Sequence, residues 1–396
     1  MTGQPTSIES DAKALSEGAT EVSLWLKKIE AARGVRKDWK AEAEEAIKAY
    51  EAGKKNRRHA NFWHANVETV VPAMYNSTPV PSARRRFGDK DQIARLAAEM
   101  IERAITYSLD QFPFDDYMLD CCRDEWLSGR GTTRVRYSAE FAKSTTADGG
   151  EFDEVSGHKV WMEPVAWDRW GHGPARVWEH VPWVWFDHDL TREECENLMM
   201  PDEPEYPEFV EPEAPNVDNI ADPGVTEQIL MRHSEAADAA AAEHQAEVQR
   251  LDAERDEKIA EVQARLEQMG FSKSGMVEGK RRDKDDHDRE KGVMQTIPVM
   301  EVWDKKTRKV FFITPKDEKL ALAELDDPLG WSGFFPLPRS LCTVRKASAM
   351  EPVVAYSVAV ELYEEVETVT RRIRKLISQL KVRGLIDASI SDDMDL

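Results

Sequence analysis

The sequence has no run of about 18 apolar residues, so no membrane-spanning helix is expected. Its first fifteen residues, Met1 to Leu15, lack a basic segment followed by an apolar one, the pattern of a secretory leader. Cysteine is scarce. There are four in 396 residues, Cys121 and Cys122 adjacent, Cys195 and Cys342 distant, too few for a disulfide framework and read as reduced thiols. No glycine-rich phosphate loop is present. Gly129-Arg130-Gly131 is too short for a dinucleotide or nucleoside-triphosphate fingerprint and lacks the following Lys-Ser/Thr, so it reads as a tight turn between helix and strand. Metal-ligand spacings of the His-Glu-x-x-His or Cys-x-x-Cys kind are missing, as is any local signature of a catalytic triad. No cofactor or enzymatic activity is therefore expected.

What the chain has in excess is negative charge, a formal −21 at pH 7, with 41% apolar and 33% charged residues. Such a field does not grip nucleic acid, because phosphate contacts need positive surface. It fits a channel wall along which DNA slides without sticking, and equally a surface that merely keeps the protein soluble.

Periodicity predicts a mixed, mainly helical α+β chain with a small antiparallel sheet. Residues 9 to 55 have helical spacing and end near Gly53, before the basic run Lys54-Lys55-Asn56-Arg57-Arg58. Asn61 to Tyr75 is a second helix, closed by Asn76-Ser77-Thr78-Pro79. Asp89 to Leu109 carries Ile93, Leu96, Met100 and Ile105 on one face. Asp115 to Ser128 is helical and stops at Gly129. Alternating stretches rich in Val, Trp and Tyr follow at Thr132 to Tyr137, Lys159 to Val165 and Val177 to Phe186. They read as strands, with a hairpin loop at Gly149-Gly150. Thr191 caps a short helix to Met200.

Pro201 to Pro223 is acidic and proline-rich, an extended linker. Thr226 to Met269 is a long charged helix whose near-heptad seam of Val248, Leu251, Ile259, Val262, Leu266 and Met269 is broken by Arg255. A polar loop, 271 to 292, leads to strands at Ile297 to Trp303 and Val310 to Thr314, joined by a turn at Asp304 to Arg308; a second turn spans Asp326 to Gly330. From Pro352 to about Gly384 runs a strongly amphipathic helix with Leu362, Val366, Val369, Ile373, Leu376 and Leu380 spaced four and three apart.

Three groups of residues have chemical potential. His172, His180 and His188, with Asp187 and Asp189, would be candidate metal ligands if strand alternation placed them on one face; a structural histidine beside tryptophan is the commoner outcome. The tryptophans, 12 in all with many between Trp161 and Trp185, are either anchors of an extended interface or the core of a small sheet. On the last helix Glu361, Glu364, Glu365 and Glu367 crowd the first half, and Arg371, Arg372, Arg374, Lys375, Lys381 and Arg383 the second. That order matches the helix dipole and permits pairs such as Glu367 with Arg371, a solvated face. Repeated around an assembly, the same bases would form a positive ring at one level of a channel.

Several segments in order resemble the portal proteins of tailed phages, particularly the larger portals of short-tailed phages. They are Trp63-His64-Ala65-Asn66-Val67-Glu68-Thr69 with Pro72-Ala73-Met74-Tyr75-Asn76 and Pro79-Val80-Pro81; Asp120 to Tyr137 around Gly129-Arg130-Gly131; Val299 to Asp304 followed by Val310-Phe311-Phe312; and Phe334-Phe335-Pro336 leading into the last helix near Val382-Arg383-Gly384-Leu385. The resemblance covers most of 50 to 200 and 295 to 390.

It implies a structural, non-enzymatic subunit of a twelve-membered ring. That ring conducts double-stranded DNA during packaging and ejection, joins head to tail, and binds a separate terminase motor, the capsid and tail adaptors. It would be assembled in the host cytoplasm and located at the portal vertex of the virion. By order, 1 to 345 would be a wing with 201 to 292 inserted, 346 to 384 a stem helix, and 385 to 396 the start of a clip. Portal proteins continue through a second stem helix and a tunnel loop, whereas this sequence stops at Leu396, so tunnel-loop and motor-docking residues are not carried over. A coiled-coil scaffolding or adaptor protein of the virion is the alternative, resting on the helix from Thr226 to Met269. A metal-dependent hydrolase built on His172, His180 and His188 is a second.

Overall fold

The computed structural model describes residues 20–52, 61–85, 91–145, 151–201, 204, 206–207, 209, 223–271, 296–347 and 349–379. Among these the chain is α+β and mainly α, with eight α-helices and seven strands. In chain order the helices are α1 (Glu21–Val35), α2 (Lys37–Ala52), α3 (Phe62–Met74), α4 (Gln92–Asp110), α5 (Phe114–Ser128), α6 (Arg192–Met199), α7 (Pro223–Gln268) and α8 (Ala355–Gln379). The strands are β1 (Thr133–Thr145), β2 (Glu151–Pro164), β3 (Trp170–His172), β4 (Trp183–Thr191), β5 (Thr296–Asp304), β6 (Lys309–Ile313) and β7 (Ala323–Asp326). β1 and β2 form a two-stranded antiparallel hairpin in register from Thr133↔Pro164 to Thr145↔Glu151, with an irregularity at Glu140/Phe141. β3 to β7 form a five-stranded sheet in sequence order. No described helix is long and apolar enough to cross a membrane.

Two compact units are distinguishable. The larger comprises Leu24–Asp187, Val302–Val310 and Leu325–Leu396. Its helical core follows from spacing. Trp39, Ala43 and Ala46 of α2 fall on one face, as do Trp63, Val67 and Val71 of α3, and these meet Cys122 and Leu127 of α5 and Val354 just before α8. The alanines let the helices approach, and the buried indoles find partners: Trp63 Nε1 donates to the Ala46 carbonyl at 3.0 Å and Trp39 Nε1 to that of Ser128 at 2.7 Å.

The predicted single helix over 9 to 55 is corrected to two, α1 and α2, with 9 to 19 and 53 to 55 outside the described residues. The break follows Gly34-Val35, both weak helix formers. At Arg36 the guanidinium turns inward, stacks over Trp185 with 4.5 Å to the ring centre and donates to the Trp170 carbonyl at 3.2 Å.

The predicted strand Val177 to Phe186 is also corrected: Trp178–His180 is a 3-10 turn and the strand begins only at Trp183. Gly129 caps α5 in the left-handed region, φ 85°, where glycine carries no Cβ penalty. This confirms the tight helix-to-strand turn. Gly131 is fixed by a close approach, since a Cβ there would lie 2.0 Å from the Cys121 carbonyl oxygen.

The smaller unit comprises Met1–Ser23, His188–Glu301 and Phe311–Glu324. Its core gathers Cys195 of α6, Leu266 of α7, Met269, Phe271, Ile297 and Val299 of β5, and Leu322. α6 starts at Thr191, the cap expected from the sequence, and Glu194 completes a full capping box with it. α7 runs 46 residues and ends at Gly270, φ 106°, with the Phe271 N–H returning to the Leu266 carbonyl at 3.2 Å. Arg265 fastens the end of α7. It pairs with Asp317 at 2.6 Å and donates to the carbonyls of Leu320 at 2.6 Å and Ala321 at 3.0 Å.

Candidate functional site: the last helix

α8 is attached at one end and bare along the rest. Its root is aromatic. Val354 is fully buried; Tyr356 and Tyr363, two turns apart on one face, stack with ring centres 6.0 Å apart and both lean on Trp63, at 5.3 and 5.6 Å. Asn66 Nδ2 donates to the Tyr363 hydroxyl at 2.8 Å, and the Ser357 hydroxyl to Glu42 at 3.3 Å. Burial, followed by the charges of Glu45, Glu364 and Glu367, raises the Tyr356 phenol above its ordinary pKa. These root residues were not picked out from sequence. Their signal was the seven-residue spacing of Tyr356 and Tyr363, on a face other than the aliphatic one.

Beyond the root, every residue from Arg371 to Gln379 is exposed. The seam foreseen in the sequence forms one continuous stripe, and it is uncovered: Val358 75% exposed, Leu362 62%, Val369 51%, Ile373 50%, Leu376 58%. Val366 is 36% exposed, and Leu380 lies outside the described residues. A helix this amphipathic is stabilised in water mainly by covering such a stripe. α4 presents the same situation. Ile93, Leu96, Met100 and Ile105, read from the sequence as one apolar face, are exposed, and α4 contains no buried residue. The half-buried positions of α4 are instead Ala94, Ala98, Glu102, Ser108 and Leu109.

The six bases named from sequence divide. Arg371, Arg372, Arg374 and Lys375 are exposed on α8, while Lys381 and Arg383 lie outside the described residues. At 100° per residue none of the four falls on the apolar seam; they occupy the flank and back of the helix. Arg371 bonds Glu367 at 3.1 Å, the expected turn-spaced pair. Such exposed pairs contribute little to stability, and the four bases add positive charge to this part of the helix surface.

The remaining candidates are structural in their contacts. His172 is buried, with Nδ1 at 2.8 Å from the Gly173 carbonyl oxygen; burial, outweighing that bond, lowers its pKa to about 4. His180 is exposed at the end of the 3-10 turn. His188 Nε2 is 2.8 Å from Glu301. Among the described residues no group of three His, Cys, Asp or Glu side chains could hold a metal ion. Cys121, Cys122 and Cys195 are buried free thiols, and Cys342 is a half-buried one; burial pushes the Cys121 thiol up to about 12, which suits packing and not nucleophilic attack.

Trp170, Trp183 and Trp185 are 2%, 7% and 1% exposed, which assigns them to core packing, the second of the two roles open to the tryptophans. Arg130 belongs with them. It is buried, stacked between Trp39 and Trp170 at 4.6 and 4.0 Å, and donates to the Trp167 carbonyl at 2.7 Å. Compared with protein-family models and with curated proteins, the chain matches none.

Proposed function

We propose that the chain is a structural subunit of a phage portal ring, whose copies associate through α8 around a channel for double-stranded DNA. One observation carries the reading: a long helix rooted by its first two turns, with a continuous aliphatic seam uncovered along its length. A subunit that stands alone gains nothing from that seam, whereas a head-to-tail cycle of copies covers it in every member. The exposed bases at Arg371, Arg372, Arg374 and Lys375 would then repeat at one level of the ring, within reach of backbone phosphates and blind to base sequence. The net charge of −21 keeps the rest of the wall from holding the duplex. Energy for DNA movement would come from a separate motor, and capsid and tail adaptors would dock on other surfaces. The proposed site of action is the virion.

The alternative, a rod-like scaffolding or adaptor protein, draws on α7 with its 46 residues and its half-buried row of Leu251, Arg255, Ile259 and Val262. Negative-stain images of the purified chain separate the two. Annular particles with a central hole support the portal reading. Rods or compact dimers would replace it with the alternative.

A further inference from the structure

We infer that the seam of α8 is covered by α4 of the neighbouring copy, packed antiparallel, so that each subunit offers one apolar helix and receives the other. This rests on the ring reading and specifies its contact.

The two stripes belong to the same unit, and both are bare. On α4 the exposed apolar side chains are Ile93 at 78%, Leu96 at 60%, Met100 at 70%, Ile101 at 53%, Ile105 at 43% and Tyr107 at 67%. Ile93, Leu96, Met100 and Tyr107 share one face opposite the half-buried Ala94, Ala98 and Glu102, so that row points away from the chain's own body, whereas Ile101 and Ile105 lie on the half-buried side.

Register agrees. Read forward, positions 93, 96, 100, 103 and 107 of α4 are spaced three, four, three, four. Read backward, Leu376, Ile373, Val369, Val366 and Leu362 of α8 have the same spacing. Antiparallel packing therefore sets Ile93 by Leu376, Leu96 by Ile373, Met100 by Val369 and Tyr107 by Leu362, in the manner of a short antiparallel coiled coil.

Charge agrees as well. The single polar position in the α4 row is Arg103. In this register it faces Val366 and comes beside Glu365, with Glu361 one turn away. At the other end Asp91 and the N-terminus of α4 lie toward Lys375 and the C-terminal half of α8, so the dipoles oppose. Because the offered and the receiving surfaces differ, the contact is heterologous, the type that closes rings.

The test uses the full chain with Cys342→Ser and two further substitutions, Met100→Cys and Val369→Cys, treated with a short bifunctional maleimide. Both positions are exposed, so the fold tolerates the change. The expected result is a ladder of covalent multimers from the double variant, with each single variant remaining monomeric on a denaturing gel. Dimers from Val369→Cys alone, with no ladder from the double variant, would mean that α8 pairs with α8, overturning this contact. An intact assembly by native mass in which neither pair links also overturns it and leaves the ring standing. A chain that stays monomeric by native mass overturns the ring and this contact together.

Discussion

Replacing Val369 and Ile373 together by glutamine separates what the seam does for the fold from what it does for assembly. In the isolated chain both side chains are already half in water, 51% and 50% exposed, and α8 contains no buried residue. Glutamine is the better helix former, by a few tenths of a kcal/mol per residue, so the folded chain is expected to keep its stability or gain slightly. Assembly is affected differently. Covering the exposed half of each side chain is worth about 1 kcal/mol, and burying an amide in its place costs about 1–2 kcal/mol more. The loss per contact is therefore about 4–6 kcal/mol, a weakening of association by roughly 10³-fold or more.

Sedimentation velocity gives the assembly midpoint, and thermal unfolding followed by circular dichroism gives the fold. The expected pattern is an unchanged unfolding temperature with association shifted to far higher concentration. Association equal to that of the unsubstituted chain would refute the reasoning. So would a fall in unfolding temperature of more than a few degrees measured below the assembly midpoint, where both chains are monomeric, since it would place the seam inside the fold.

Three further outcomes follow. Asp124 is held up to about 7 by burial, despite accepting the Trp167 N–H. The folded chain therefore keeps a proton there that the unfolded chain releases near 3.8, and this contribution to stability is full below about pH 4 and lost as pH rises through about 7. Asp124→Asn should gain about 2–4 kcal/mol on the unsubstituted chain across that window in denaturant titrations, and a constant difference would contradict it. Gly131→Ala sets a Cβ 2.0 Å from a backbone carbonyl and should destabilise by more than about 3 kcal/mol, read as a lowered unfolding temperature. Trp63→Ala removes the ring on which Tyr356 and Tyr363 lean. It should cost about 3–5 kcal/mol and lose hydrogen-exchange protection first at the start of α8.

Local chemistry was legible in the sequence wherever one residue type decides the outcome. Thr191 announced α6, Gly129 the end of α5, and Asn61 the start of α3, where the Asn61 side chain accepts the His64 N–H at 2.9 Å. The seam of α8 was equally plain, because a three-four spacing of aliphatic residues has no other helical reading. What escaped were long-range facts. The bend at Arg36 depends on Trp185 and Trp170, more than a hundred residues away, and nothing within 9 to 55 records it. Val177 to Phe186 alternates as a strand does, yet its first half turns back at Trp178–His180, where Lys305 Nζ reaches the Glu179 carbonyl at 3.0 Å. Periodicity also reports that a face is apolar without saying what covers it, so the apolar face of Ile93 and Leu96 on α4 was legible and its exposure was not. The root of α8 was visible only as two tyrosines seven apart, and a spacing alone does not name Trp63 as their partner.

The most direct trial of the central claim is the native mass of the assembled full-length chain. A closed ring requires one dominant species at a fixed multiple of the 45.1 kDa subunit that persists on dilution. A single species at the subunit mass at every concentration would contradict it.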